Sequence, residues 1–235
     1  MASQALIEPS GEAPPADERK VARKQPLPAR AAYLARRREL AVARDARRFE
    51  LGRELAPSAP LEIPADEGYV VVPPGGVRGA KDVIQAANAL IDSIGHEGLQ
   101  EIAQRDKAKS YLANRFFDFD AVDVKSPFLQ FALSEDVLAT VSAYLGLVPV
   151  LYEFDVWYSM PQPHEPKASQ LWHLDHDDES QVKVWIHCSD VGPESGPLTV
   201  VRADVSADFA EQIRYDVGRG YRVPDERVRE LVAGQ

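Results

Sequence analysis

The sequence predicts an α+β fold in which helices precede an antiparallel β-sandwich or barrel. Two observations carry this prediction. Apolar residues recur at helical spacing in several stretches before residue 146, and from residue 150 onward they alternate with the two-residue period of strands. Helices gathered in one part of a chain and consecutive strands in another are typical of α+β domains rather than alternating α/β ones.

Composition describes an ordinary globular protein and excludes several classes. Of the 235 residues, 45% are hydrophobic and 27% are charged, which is enough to bury a core. A single cysteine excludes an internal disulfide framework and favours a reducing compartment. No apolar run approaches the roughly 20 residues of a membrane span, and the first residues lack the pattern of a signal peptide. We therefore predict a cytoplasmic protein with no membrane partner.

Charge divides the chain into two parts. Residues 1–55 contain 12 Lys and Arg and 8 Asp and Glu, which leaves 15 and 29 for the remainder and a charge of −14 there. An acidic body argues against nucleic-acid binding. We predict a disordered leader and basic helical arm at 1–60, with the helix over 31–55, and one main domain at 61–235. The role of the arm and the oligomeric state stay open.

Local signals place three helices in the first half of the main domain. Residues 81–94 have a continuous apolar face, and Gly95 is the expected C′ residue. Residues 97–112 form a second, mostly polar helix. Ser134 caps the third helix, which has acidic residues in its first turn and stops at Gly146.

Strands are predicted from alternating or short apolar runs bounded by turn residues. Two further helices follow the last strand, over 207–215 and 224–232. The predicted strands cover residues 68–72, 150–160, 181–191 and 198–201, with an extended segment at 170–178 between the second and third.

His173 and Asp175 are the candidate metal ligands. In an extended segment side chains alternate, so these two point the same way while Trp172 and Leu174 point the other. An imidazole and a carboxylate so placed supply two thirds of the facial triad that holds non-haem Fe(II) with open positions. The tripeptide alone is better explained as a buried hydrogen-bonded pair. The prediction of a metal site therefore depends on the surrounding motifs.

Three further motifs accompany this pair in a fixed order. Gly68-Tyr-Val-Val-Val precedes a helix, Lys183-Val-Trp-Ile-His-Cys-Ser-Asp190-Val191 follows the pair, and Gly196-Pro197-Leu198 comes six residues later. Together with Gln170-x-Trp172-His173-x-Asp175, they resemble the phytanoyl-CoA dioxygenase-like family of Fe(II)/2-oxoglutarate-dependent oxygenases. The resemblance covers roughly residues 65–235.

The resemblance implies a double-stranded β-helix, a cupin-like jelly roll with N-terminal helices and iron in the mouth of the barrel. His173 and Asp175 match the first two iron ligands, while Trp185, with Lys183 beside it, matches the 2-oxoglutarate site. The implied reaction converts 2-oxoglutarate and O₂ to succinate and CO₂ while a small molecule is hydroxylated. Asp175 favours hydroxylation, because related halogenases replace this carboxylate with a small residue.

The chain departs from the family pattern in two places. Arg202-Ala203-Asp204-Val205 stands where a Pro-Gly-Ser-His-like turn often occurs, and no histidine follows His187. We therefore expect the second His ligand and the oxoglutarate-binding Arg beyond Gln235, with the barrel incomplete in this chain. His164, His176 and His187 are interpreted as structural or solvent-exposed. Two alternatives stay open: a non-catalytic jelly-roll module, and a cupin-like enzyme that uses another divalent metal without 2-oxoglutarate.

Overall fold

The computed structural model describes residues 45–73, 75–118, 122–161, 165–175, 180–215 and 222–233, and over these the chain is a mixed α+β protein. None of the described helices is both long enough and apolar enough to span a membrane. The strands are β1 (Leu112–Ala113) and β2 (Tyr158–Ser159). The helices are α1 (Ala46–Leu55), α2 (Ala80–Gln104), α3 (Pro127–Ala132), α4 (Glu135–Leu145), α5 (Ala203–Gln212) and α6 (Asp225–Ala233).

Helix α4 begins and ends where the local signals predict. Ser134 is the N-cap, and its hydroxyl accepts a hydrogen bond from the Val137 amide at 3.4 Å. At the other end Gly146 adopts φ 75°, a left-handed conformation that favours glycine, and its amide donates to the Ser142 carbonyl. These predictions are confirmed because capping depends on residues that are close in sequence.

Replacing Ser134 with alanine should lower the free energy of unfolding by about 0.5–1 kcal/mol, because the Val137 amide loses its side-chain acceptor at the helix N-terminus. Thermal unfolding followed by circular dichroism should show a midpoint lower by about 1–4 °C. The matched control is Ser134→Asn, which keeps a side-chain oxygen at the cap. Equal midpoints for the alanine and asparagine variants would contradict the capping role.

Helix α2 confirms one predicted break and corrects a boundary. Gly95 adopts φ 71° and ψ 170°, so the helical turn is interrupted at the predicted residue, and the chain resumes helical geometry to Gln104. The second helix was expected to extend to residue 112. Instead Leu112 and Ala113 form β1, both buried, and pair with β2 in antiparallel register. The burial of these two apolar residues against β2 outweighs the helical propensity of the preceding stretch.

The predicted strands are the main correction. Within the described residues, only 158–159 of the 150–160 segment pair in a sheet, and segments 68–72, 181–191 and 198–201 belong to no sheet. Alternation indicates which side chains share a face, but a strand also needs a partner whose backbone groups are in register. The local sequence does not specify that partner. The α+β class is confirmed, and the double-stranded β-helix stays a prediction.

Two apolar clusters organise the described chain. One joins α2 to the β1–β2 pair through Leu99, Ala103, Ala113 and Met160. The second, here called the C-terminal cluster, packs α5 against α6, which overlap the two predicted C-terminal helices. Its buried members are Phe209, Tyr215, Val223, Val228 and Leu231.

Phe116, Phe117 and Phe119 form an aromatic run in the sequence, which is more typical of a core than of a binding box, and the run divides between described and undescribed residues. The ring of Phe117 contacts Phe128 and Phe154 at centroid distances of 4.9 and 5.1 Å. These contacts agree with the interpretation of Phe117 as a packing residue rather than part of a binding box. Phe119 lies outside the described residues.

Helix α1 is the described end of the predicted arm helix, and the rest of the arm lies outside the described residues. Gly52 is the buried residue of α1 and lies against the backbone of Leu147, just after α4. The Val148 amide donates to the Arg48 carbonyl at 3.0 Å, and the Arg48 guanidinium returns a bond to the Val148 carbonyl at 2.9 Å. These contacts fix α1 on the end of α4, so the described part of the arm is attached to the body. The predicted boundary near residue 60 stays a prediction.

Candidate metal centre

His173 is oriented by the backbone that precedes it. A single 3-10 turn at Ala168–Gln170 ends in extended geometry at Leu171, whose φ and ψ are −90° and 154°. The Leu171 carbonyl lies 2.7 Å from His173 Nδ1. A carbonyl can only accept, so the ring donates from Nδ1 in this contact, and Nε2 is the nitrogen that remains for another partner. A histidine whose other nitrogen donates to a backbone carbonyl is the usual arrangement of a metal ligand.

Asp175 lies directly against Nε2 of His173. Its Oδ1 is 3.2 Å from His173 Nε2, and its Oδ2 accepts a hydrogen bond from Lys183 Nζ at 2.6 Å. The contact with His173, together with the hydrogen bond from Lys183, holds the pKa of the Asp175 carboxyl well below its usual range, although partial burial acts in the opposite direction. The group is therefore a carboxylate near neutral pH.

The contact between His173 and Asp175 requires a cation. With Nδ1 committed to the Leu171 carbonyl, a neutral ring would present a lone pair to a carboxylate oxygen, and two acceptors repel. Either a proton on Nε2 or a metal ion between the two groups removes this repulsion. The side chains are 20% and 37% exposed, so an ion can reach them from solvent.

A third protein ligand is not among the described residues. Over the described ranges, no three His, Cys, Asp or Glu side chains come together in a way that could hold a metal ion. His96, which follows the break at Gly95, is exposed and contacts Gln100, and His187 is also exposed. His164 and His176 lie outside the described residues.

Lys183 and Trp185, the two residues expected at the 2-oxoglutarate site, make different contacts. Lys183 is in direct contact with Asp175, whereas Trp185 packs edge-on against Trp157, with ring centroids 4.9 Å apart. Both tryptophan rings keep more than 40% of their surface exposed. The local sequence does not predict the contact between the two tryptophans, because it does not specify how their segments pair.

Sequence reasoning missed the residues that hold the candidate centre in place. The Trp172 indole donates to Asp225 Oδ1 at 2.8 Å, and the Leu174 amide donates to the Tyr215 hydroxyl at 3.0 Å. Their partners are 53 and 41 residues away in sequence. A local sequence pattern does not predict contacts between residues so far apart in the chain.

No family model, no curated protein and no solved structure matches this chain. The resemblance to the phytanoyl-CoA dioxygenase-like family therefore stays a prediction that rests on the motifs around His173 and Asp175.

Proposed function

We propose that this protein is a non-haem Fe(II)/2-oxoglutarate-dependent dioxygenase that hydroxylates a small molecule and belongs to the phytanoyl-CoA dioxygenase-like family. One observation carries the proposal: Nε2 of His173 lies 3.2 Å from Asp175 Oδ1, with the other ring nitrogen held by a backbone carbonyl. The alternative is an ion pair with a proton on Nε2, and the motifs around His173 and Asp175 favour the metal.

The spacing of the two donors fits a divalent ion. Two ligands about 2.1 Å from an octahedral ion and at right angles to each other are about 3.0 Å apart. His173 Nε2 and Asp175 Oδ1 are 3.2 Å apart, so little movement is needed to accommodate one. Asp175 would bind through Oδ1 alone, since Oδ2 is bonded to Lys183.

In this proposal the chain's own residues bind and orient. His173 and Asp175 would hold the iron, which would supply O₂ activation coupled to decarboxylation of 2-oxoglutarate. Lys183 keeps the carboxylate of Asp175 in one orientation, and its ammonium is a cationic partner for a carboxylate of the cosubstrate. Trp185 would line the cosubstrate site. The third ligand and a closed jelly-roll barrel belong to the same proposal.

The proposed compartment is the cytoplasm. A lone cysteine, Cys188, stays reduced there, and the proposed iron must likewise remain ferrous. The proposed partners are the small-molecule substrate and O₂.

The test is an anaerobic titration of the full chain with Fe(II), followed by addition of O₂, 2-oxoglutarate and ascorbate. We expect weak but saturable iron binding and a low yield of iron-dependent succinate, because no third metal ligand lies among the described residues. Saturable iron binding without succinate would contradict the dioxygenase and favour a metal-binding module or a cupin-like enzyme. Absence of binding would contradict the metal centre itself.

A further inference from the structure

Backbone hydrogen bonds attach the segment that carries His173 and Asp175 to the C-terminal cluster. Trp172 and Val223 form an antiparallel bridge, in which the Trp172 amide donates to Val223 at 3.2 Å and the Val223 amide donates back at 2.9 Å. The Trp172 indole adds its bond to Asp225, the first residue of α6. The metal-binding segment thus has a fixed partner on its N-terminal side.

Tyr215 supplies a second attachment, between the two candidate ligands. Its ring is 3% exposed, and its hydroxyl accepts the hydrogen bond from Leu174, the residue between His173 and Asp175. The turn after α5 directs this ring: Arg214 adopts φ 50°, and the Tyr215 amide donates to the Ala210 carbonyl at 2.7 Å. The direction of Tyr215 is therefore set by backbone geometry and burial.

These bonds fix three consecutive peptide planes. The Trp172 amide belongs to the peptide between residues 171 and 172, and the Trp172 carbonyl to the peptide between residues 172 and 173. The Leu174 amide belongs to the peptide between residues 173 and 174. The two planes that flank His173 determine its φ and ψ, because the backbone has no other soft dihedrals. The bond to Tyr215 holds the plane nearer to Asp175.

We propose that Tyr215 is a positioning residue for the metal pair. Its hydroxyl holds the peptide plane between His173 and Leu174, and so sets the direction in which Nε2 of His173 faces Oδ1 of Asp175. The inference rests on the proposed function, because it assigns Tyr215 a role toward the ion held by that pair. In this role Tyr215 acts through the backbone, by its bond to the Leu174 amide.

The test uses Co(II) as a spectroscopic substitute for Fe(II), titrated into the full-length protein and three variants well below their melting temperatures. Tyr215→Phe keeps the buried ring and removes the hydroxyl. Tyr152→Phe removes a hydroxyl from a ring that is 79% exposed. Val83→Ala removes buried methyl groups from α2, outside the C-terminal cluster.

We expect Tyr215→Phe to raise the Kd for Co(II) about 10-fold and to shift its d–d absorption, as loss of groups that orient metal ligands does elsewhere. Its melting temperature should fall by no more than about 4 °C. Val83→Ala should lower the melting temperature at least as much without changing the Kd or the spectrum, and Tyr152→Phe should match the wild type.

An unchanged Kd and spectrum in Tyr215→Phe, with Co(II) bound by the wild type, would overturn the positioning role and leave the proposed function intact. The same role is overturned if Tyr215→Phe and Val83→Ala weaken binding in proportion to their loss of stability. Failure of the wild type to bind Co(II) overturns the proposed metal centre and this inference with it.

Discussion

Replacing either His173 or Asp175 with alanine is expected to reduce iron-dependent succinate formation by at least about 100-fold. Each change removes one of the two donors that face each other across 3.2 Å, and even groups that only orient a metal ligand are worth about 10–100-fold. Succinate should be measured after incubation with Fe(II), 2-oxoglutarate and O₂, together with the iron retained after gel filtration under anaerobic conditions.

The fold should survive both substitutions. His173 and Asp175 are partly exposed, and their contact is outside the two buried apolar clusters. The Lys183 side chain is 40% exposed, so water can hydrate its ammonium when Asp175 is lost, and the stability cost of the broken ion pair is below about 1 kcal/mol. The matched control is His187→Ala, an exposed histidine outside the pair, which should retain activity. Full succinate yield from both His173→Ala and Asp175→Ala would contradict their assignment as metal ligands.

A second large effect is expected from Gly52→Ala at the contact between α1 and the end of α4. A Cβ at residue 52 would lie 2.6 Å from the Leu147 Cα and 2.9 Å from its carbonyl carbon. Those are backbone atoms, held by the bonds between Arg48 and Val148, so they cannot swing aside as a side chain would. Overpacking of this kind costs about 1–3 kcal/mol, and the gain in helix propensity of about 1 kcal/mol offsets only part of it.

Thermal unfolding of Gly52→Ala should therefore show a midpoint lower by several degrees, at about 2–4 °C for each kcal/mol. Gly192→Ala is the matched control, because its added Cβ would meet no atom within 4 Å and Gly192 already has φ −87°. That control should unfold within about 1–2 °C of the wild type. A midpoint for Gly52→Ala equal to or above the wild-type value would show that α1 can move away from α4.

The parts of the fold that could be predicted are those specified by neighbours in sequence. Ser134 and Gly146 bound α4 as predicted, and Gly95 interrupts α2, because caps and left-handed turns depend on a few adjacent residues. The strand segments failed for the opposite reason. A segment such as 181–191 alternates correctly, but a sheet requires a partner chosen by the whole chain.

The candidate metal centre also combines contacts that neighbours in sequence predict with contacts between distant residues that they do not. The adjacency of His173 and Asp175 follows from alternation over two residues, which any extended backbone imposes. The contact of Lys183 with Asp175 spans eight residues, and a family resemblance, not periodicity, drew attention to Lys183. Tyr215 carried no signal, because a buried tyrosine in a helical stretch is normally interpreted as a packing residue and its hydrogen bond joins residues 41 positions apart.

The bond between Trp172 and Asp225 has a consequence for the order of events during biosynthesis. The two residues are 53 positions apart, and at about 5–20 residues per second the ribosome needs about 3–10 s to travel from one to the other. During that interval the nascent chain contains both His173 and Asp175 but lacks Val223 and Asp225, which fasten the segment. We therefore expect the proposed metal to be acquired in the native geometry only late, after α6 has been made and has docked.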